Sequence, residues 1–323
     1  MTTVAKAGNN SMTAMVKMAL VPVIFHLSHA YIRYFPFSMG KTWVWENLWN
    51  RIATKATSKR VVKTVYGIKM RVQPPDQIQT KILFTGRWEP VISRYFVSQL
   101  RPGDVFIDVG ANVGHHTLLA AKAVGPSGKV YAFEASPSIY EALVHNIALN
   151  SGLSVVAVNK AVSAGPGTLD LWLASDFNIG HSTTVSQLAT EEGMKLEARV
   201  EADSLDNLVP KHELFGARMI KIDVEGAERE VLEPLVSQMS NFSEKTEWLL
   251  ELAPAFFKSG QKDADWIFQL FRDNGYYAYL IPNIYTLQAY VEPTDSTSVV
   301  PLDAPPTGEF NDVLFSKRVI TTI

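Results

Sequence analysis

From residue 60 onward the chain falls into short runs rich in β-branched and aromatic residues, separated by longer stretches whose apolar positions recur at helical spacing. That alternation predicts parallel strands joined by crossover helices on both faces of one sheet, a doubly wound α/β domain over residues 61–323. The apolar runs predict strands at Val105–Val109, Lys129–Phe133, Val155–Asn159, Met219–Ile222, Trp248–Leu252, Tyr276–Ile281 and Asp312–Ser316. Helices are predicted over Val113–Ala123, Ser138–Asn150, Ala227–Ser237 and Ala264–Asn274. Between the third and fourth strands lies a long insertion, 168–209, with alternating segments at Thr168–Leu173 and Leu196–Glu201. Insertions of this length usually carry function. The Pro-rich stretch Pro293–Pro306 reads as a surface loop.

Residues 1–60 form a different kind of segment, basic and aromatic-rich. Over Lys41–Ala56 the apolar residues Trp45, Leu48, Trp49 and Ile52 fall at i, i+3, i+4 and i+7, which predicts an amphipathic helix. Its tryptophan face suits packing on the main domain, a second subunit in a homo-oligomer, or peripheral contact with an anionic membrane. The most apolar run, Met18–Phe25, has eight residues and is closed by His26, where a spanning helix needs roughly 20. Lys17, Ser28 and Ala30 are spaced as in a signal peptide, but a long polar lead-in and Pro22 in the apolar run argue against one. A cytoplasmic protein is expected, with the membrane surface as a possible peripheral station.

Charge sharpens that division. The net charge of the 323 residues is -2, yet residues 1–71 carry 11 Lys and Arg against one acid, Glu46, a net of +10, and the remainder is correspondingly -12. Nucleic acid is not expected as a partner, since the acidic bulk repels phosphate. With 47% apolar residues the chain can fill a core, and with no cysteine it has no thiol chemistry.

The candidate chemistry begins at the first strand, which ends in Asp104-Val-Phe-Ile-Asp-Val-Gly-Ala-Asn-Val-Gly114. An acid at the strand tip and a glycine turn opening into a helix place a ligand outside the strand's carboxyl end. Gly110 is expected to let backbone approach the ligand, Gly114 to allow close helix packing, and the amides at the helix start to receive an anionic group. A dinucleotide fingerprint has glycine where Asn112 stands, so a side chain occupies the place of a pyrophosphate. A nucleoside without phosphates fits better, and S-adenosylmethionine is one, with Asp108 complementing its ammonium or sulfonium. The second strand closes on Glu134, 24 residues beyond Gly110, where a carboxylate can accept from both ribose hydroxyls. The plain alternative for Glu134 is a surface or capping acid.

The fourth strand delivers Ile220-Lys-Ile-Asp-Val-Glu-Gly-Ala-Glu228, putting Asp223 and Glu225 at the crevice edge; Glu251 ends the fifth. These acids suit a base, a substrate hydrogen bond or oxygen ligands for magnesium, and Asp223 also suits the cap of the next helix.

The runs Phe106–Gly114, Val130–Glu134, Ser204–Leu208 and Ile220–Glu228, with Gly86-Arg-Trp-Glu-Pro90 ahead of them, resemble the FkbM-type family of S-adenosylmethionine-dependent methyltransferases in order and spacing. The resemblance covers residues 75–318. It implies a Rossmann-like, seven-stranded methyltransferase sheet with an antiparallel last strand, and usually O-methylation of sugar, polyketide or related hydroxyls. By position it also implies cofactor contacts from Glu89, Asp108, Gly110, Asn112, Gly114, Glu134, Ala135 and Asp223, with Ala161 and Val162 bordering the adenine. Ala135 stands where the family commonly has proline.

Transfer from a sulfonium mainly needs alignment, and a sugar-like hydroxyl gains from a base or a cation that acidifies it. Asp223, Glu225 and His181 are the candidate catalytic residues; Asp223, Glu225 and Glu251 are the candidate ligands if Mg takes part. A lone loop histidine such as His181 is more often a surface residue. The competing readings are a nicotinamide-dependent oxidoreductase, which Asn112 disfavours, and a non-catalytic cofactor-binding module.

Overall fold

The computed structural model describes residues 23–35, 37–49, 58–174, 182–293, 298–307 and 310–322. Its centre is a sheet of β1 Val105–Val109, β2 Lys129–Phe133, β3 Val155–Val158, β4 Met219–Ile222, β5 Glu247–Glu251, β6 Tyr277–Ile281, β7 Val300–Leu302 and β8 Asp312–Ser316. The order is β7-β6-β8-β5-β4-β1-β2-β3. The strands β3, β2, β1, β4 and β5 run parallel, and β8 inserts antiparallel between β5 and β6. All seven expected strands are present, and the last is antiparallel. An eighth, β7, pairs antiparallel with β6 inside the stretch expected to be loop. Pro301 lies within this edge strand, a position that tolerates a residue without an N–H.

Strands buried on both faces must be apolar throughout, and the two faces here have separate cores. Ile107, Val109, Phe133, Ile220, Ile222, Trp248 and Leu250 pack on one side with α6 Glu228–Leu232 and α7 Gln261–Asp273. Phe106, Val130, Met219, Leu249 and Leu314 face the other side, against α3 Pro90–Gln99 and α4 His115–Val124. The helix expected over Ala227–Ser237 is α only to Leu232 and continues as a 3-10 turn over Glu233–Asn241, because Pro234 supplies no N–H to an α ladder. α5 Pro137–Ala148 fills the β2–β3 crossover.

The insertion builds its own small sheet. Gly167–Leu173 pairs antiparallel with Lys195–Asp203 and with Ser182–Thr183, and Ala161–Val162 joins the edge of Lys195–Asp203. Ahead of the main domain, a hairpin of Arg60–Lys63 and Lys69–Val72 leads into α2 Gln77–Thr85.

The N-terminal extension differs in detail from its expected form. A helix α1 spans 23–34, and Phe25 and Ile32 bury against Ile82, Phe84, Met70 and Val72. The segment expected as one helix to Ala56 is α-helical only over Lys41–Val44 and continues as a π-helical turn over Trp45–Trp49. Trp45 sets its ring edge on Phe84 at 5.5 Å, an inward contact. The side chains of Leu48 and Trp49, and Ile52 entirely, lie outside the described residues, so the outer half of the expected stripe does too. Among the described residues no helix is long and apolar enough to cross a membrane.

Candidate functional site

Strand periodicity assembles the site. Side chains two apart share a face, and parallel register sets Lys221 beside Asp108 and antiparallel register sets Glu251 beside Asp312. Asp108, Lys221, Asp223, Glu251 and Asp312 therefore converge on one face at one end of the sheet. The first four of these line a cleft of about 480 Å³. Glu89, Gly110, Asn112, Glu134, Ala135, Ala161, Val162 and Glu225 line the same cleft, as do the insertion residues Leu171, Ser182 and Thr184.

The two acids on which the sequence argument rests sit on adjacent strand ends. Glu134 accepts from the Asn112 N–H at 2.8 Å through Oε2 and from the Ser136 N–H at 2.9 Å through Oε1. Burial raises its carboxyl to about 7 against those two hydrogen bonds, which pull the other way. Asp108 is fully buried. Its Oδ2 accepts from Thr117 Oγ1 at 2.6 Å, while Oδ1 accepts no hydrogen bond among the described residues and faces Lys221 Nζ at 3.9 Å. Burial raises Asp108 as well, with Lys221 opposing.

The glycine turn departs from expectation at Gly110 and meets it at Gly114, which packs closely on a helix. The amides of Gly110 and Ala111 donate to Phe133 O, Asn112 to Glu134, Val113 to the Asn112 side chain at 2.7 Å, and Gly114 to Ala111 O. These five donors, all ahead of the first residue of α4, are spent inside the fold. Gly110, at φ 80°, serves packing: a Cβ there would lie 1.8 Å from the Asp223 carbonyl oxygen, so its bareness lets the β1 and β4 turns touch. Gly114 sits against the core, not the cleft; a Cβ would lie 2.6 Å from Leu143 Cδ1 on α5. Asn112 takes a left-handed φ of 51°, a conformation asparagine tolerates.

The acidic side of the cleft is built around one cation. Lys221 Nζ donates to Asp223 Oδ2 at 2.8 Å, and although burial lowers its pKa, Asp223 and Asp108 more than reverse this. Asp223, expected to cap the next helix, is held by this lysine instead. Glu228 takes the turn's amides, accepting from Val224 and Gly226. Asp223, Glu225 and Glu251 each offer a carboxylate oxygen within 4.8 Å of the others. Burial raises Glu251 well above the usual carboxylate range, reinforced by Asp223 and Glu225, and lifts Asp312 to about 6. Thr183 Oγ1 of the insertion donates to the Glu225 carbonyl at 2.8 Å, fixing a residue whose φ is 52°.

Glu89 belongs to this acidic group and not to the ribose corner. The turn Gly86-Arg-Trp-Glu-Pro90 between α2 and α3 aims it inward, where Tyr285 Oη donates to Oε1 at 2.8 Å and burial raises its carboxyl to about 8. His181 lies outside the described residues.

Several lining residues carried no motif. Lys221 could have been found, since a lysine inside the buried run Met-Ile-Lys-Ile is expensive unless paired. His115 and His116 open α4 and are buried; desolvation drops His115 to about 3 and His116 well below its ordinary value. Lys81 Nζ lies 4.8–5.2 Å from the rings of Tyr285, Trp88 and Tyr290, and burial lowers it to about 8.

The arrangement suits a cationic nucleoside. The buried acceptor Asp108 Oδ1 and the surrounding carboxylates favour positive charge. Parts of the chain are similar to known proteins. A family model described as the methyltransferase FkbM domain matches residues 108–277, more than half of the chain. Methyltransferase sdnD of Sordaria araneosa is 30% identical over 164 residues, 43% of this chain and 62% of that protein, so the match spans less than two thirds of this relative. Hexuronic acid methyltransferase AglP of Haloferax volcanii is 25% identical over 195 residues, 60% of this chain and 75% of its own. Among solved structures, methyltransferase FkbM from Methylobacillus flagellatus overlays with a TM-score of 0.40 at 10% identity, covering 74% of this chain and 52% of that one. With the turn after β1, the acid after β2 and the acidic turn after β4 all inside the matched segment, the chain belongs to the FkbM-type methyltransferase family.

Proposed function

We propose that this protein is an S-adenosylmethionine-dependent methyltransferase acting on a hydroxyl of a small or lipid-linked, sugar-like acceptor. The observation that carries the reading is the pairing of Asp108 and Glu134 on neighbouring strand ends, one with an unused buried oxygen and the other anchored by two backbone amides. Glu134 would accept from the ribose hydroxyls, Ala135, Ala161 and Val162 would border the adenine, and Asp108 with the acids beside it would meet the positive charge. When bound, the cofactor supplies a methyl group already activated on sulfur.

The acceptor half is drawn from Trp88, Tyr285 and Lys81 together with Asp223, Glu225 and Glu251, all of which line the cleft. Aromatic faces beside several carboxylates suit a ring bearing many hydroxyls, since the apolar ring face stacks and the hydroxyls donate. That chemistry is compatible with the hexuronic acid in the name of one relative. Asp223 or Glu225 takes the hydroxyl proton, a contribution of about 100- to 10,000-fold. Glu251, whose carboxyl is raised well above the usual range by burial and then by Asp223 and Glu225, is set apart from these two as a substrate-binding group. Convergence of the three carboxylates also favours a test for magnesium, which would acidify the hydroxyl in place of a base.

Calorimetric titration with S-adenosylhomocysteine tests the cofactor, and parallel titration with NAD tests the oxidoreductase alternative. Binding of the first and not the second is expected; the reverse overturns the assignment. With a methyl acceptor in hand, Asp223→Asn and Glu225→Gln variants assayed with and without EDTA separate base from metal. Unaltered turnover in both variants would remove these acids from the chemistry.

A further inference from the structure

The helix α1 has two apolar faces. Phe25, His29 and Ile32, spaced 4 and 3 apart, form the docked face; His29 Nε2 meets the Leu83 carbonyl at 3.0 Å and Phe25 packs on Phe84. Val23, Leu27, Ala30 and Tyr34, spaced 4, 3 and 4 apart, form a second stripe that points away from the protein. The chain beyond the helix exposes further large apolar side chains. Leu27 is 66% exposed, Tyr34 73%, Phe37 67%, Met39 81% and Trp43 61%. Scattered apolar residues on a surface need no explanation, but five large side chains each more than 60% exposed within residues 27–43 mark an interaction site.

Charge identifies the occupant. No acid precedes Glu46 in the chain, and the hairpin flanking α1 presents Lys59, Lys63 and Lys69 exposed. That hairpin is tied to the helix by Arg33 Nη2 donating to the Lys63 carbonyl at 2.7 Å and by Arg60 lying 4.2 Å over the Phe25 ring. A second copy docked face to face would oppose two equally basic surfaces. An anionic lipid headgroup layer accepts both the cations and the aromatic side chains, and it repels the -12 remainder of the chain, which orients the molecule. We propose that residues 23–43 form a foot seated in the interfacial layer of an anionic membrane. This stripe is distinct from Trp45, which is turned into the domain.

The location relates the foot to the cleft. α2 packs Ile82 and Phe84 against α1 and presents Gln77, Ile78 and Lys81 to the cleft, so a single helix separates the foot from the acceptor half. An acceptor carried on a lipid would reach the site without leaving the membrane surface. The membrane contact itself stands whatever the chemistry of the cleft.

The test is flotation of the full chain with vesicles of phosphatidylcholine alone and of equimolar phosphatidylcholine and phosphatidylserine. Binding to the anionic vesicles only, weakened by salt, is expected. The Leu27→Glu/Phe37→Glu/Trp43→Glu variant should lose roughly ten-fold or more of that binding while keeping its affinity for S-adenosylhomocysteine. A gentler Tyr34→Ser/Met39→Ser variant should show the same loss in part, and serves if the first fails to fold. The proposal is overturned if the unaltered chain stays with the soluble fraction, if the variants float equally well, or if the substitutions convert a dimer into a monomer and leave flotation unchanged. Cofactor titration on the same samples reads the methyltransferase assignment separately.

Discussion

Replacing Glu134 by glutamine separates binding from stability in a way the geometry makes quantitative. Both carboxylate oxygens accept backbone N–H groups, so an amide must turn its NH2 against one of them and leave that buried donor unpaired, a loss of about 1–3 kcal/mol. The change also removes a charge that burial disfavours. The carboxyl rises from an ordinary 4.5 to about 7, so keeping it ionised costs the folded chain about 3 kcal/mol above that pH. The two effects nearly cancel, and at pH 8 the variant should melt close to the unaltered protein. Between the two pKa values the native state holds a proton that the unfolded chain has released. Glu134 therefore stabilises the fold fully below about pH 4.5, and that contribution disappears as pH rises through 7. The variant should lose this part of the decline. Cofactor affinity does not recover, because one ionised acceptor for ribose is gone; a weakening of roughly ten- to a hundred-fold follows from about 1.5–3 kcal/mol per charge-assisted hydrogen bond. Calorimetry with S-adenosylhomocysteine at pH 8, beside thermal melts across pH, reads both quantities. Affinity within about two-fold of the unaltered protein would refute the placement of ribose at Glu134.

Gly110→Ala adds a methyl group 1.8 Å from the Asp223 carbonyl in a left-handed backbone, so it should lower stability by several kcal/mol, at least about 1–2 of which is backbone strain; a melting temperature near that of the parent would show that the two turns part easily. Lys221→Met removes the cation among Asp108, Asp223 and Glu89 and should cost about 3–5 kcal/mol at pH 8, as the remaining carboxylates lose their partner. Because those acids can take protons, the loss should shrink towards pH 5; denaturant unfolding at the two pH values decides, and an equal loss at both would mean that the lysine acts by packing alone.

The strands were legible because a strand covered on both faces leaves a continuous apolar run, and seven such runs located them; their order came only with the structure. The cofactor corner was legible for a related reason: an acid that ends a buried run has little reason to be there except a ligand. What escaped was whatever depended on neighbours distant in sequence. Gly110 was read as making room for a ligand, but the contact that requires it comes from Asp223, 113 residues later. The amides after β1 looked available until Phe133, Glu134 and the Asn112 side chain were seen to consume them. Lys221 passed as an ordinary strand residue since its partners arrive only through register. In α1 a second apolar face filled the wheel, which blurs the one-sided periodicity by which amphipathic helices are recognised.

The Thr183 hydroxyl reaches out of the insertion to the Glu225 carbonyl while accepting from the Val185 N–H, so the roof of the cleft and one of its acids are latched by a single side chain. Exchanging the roof to alter acceptor preference would therefore also release the backbone that aims Glu225. Any transplanted segment has to carry a hydroxyl to that spot, or selectivity and turnover will change together.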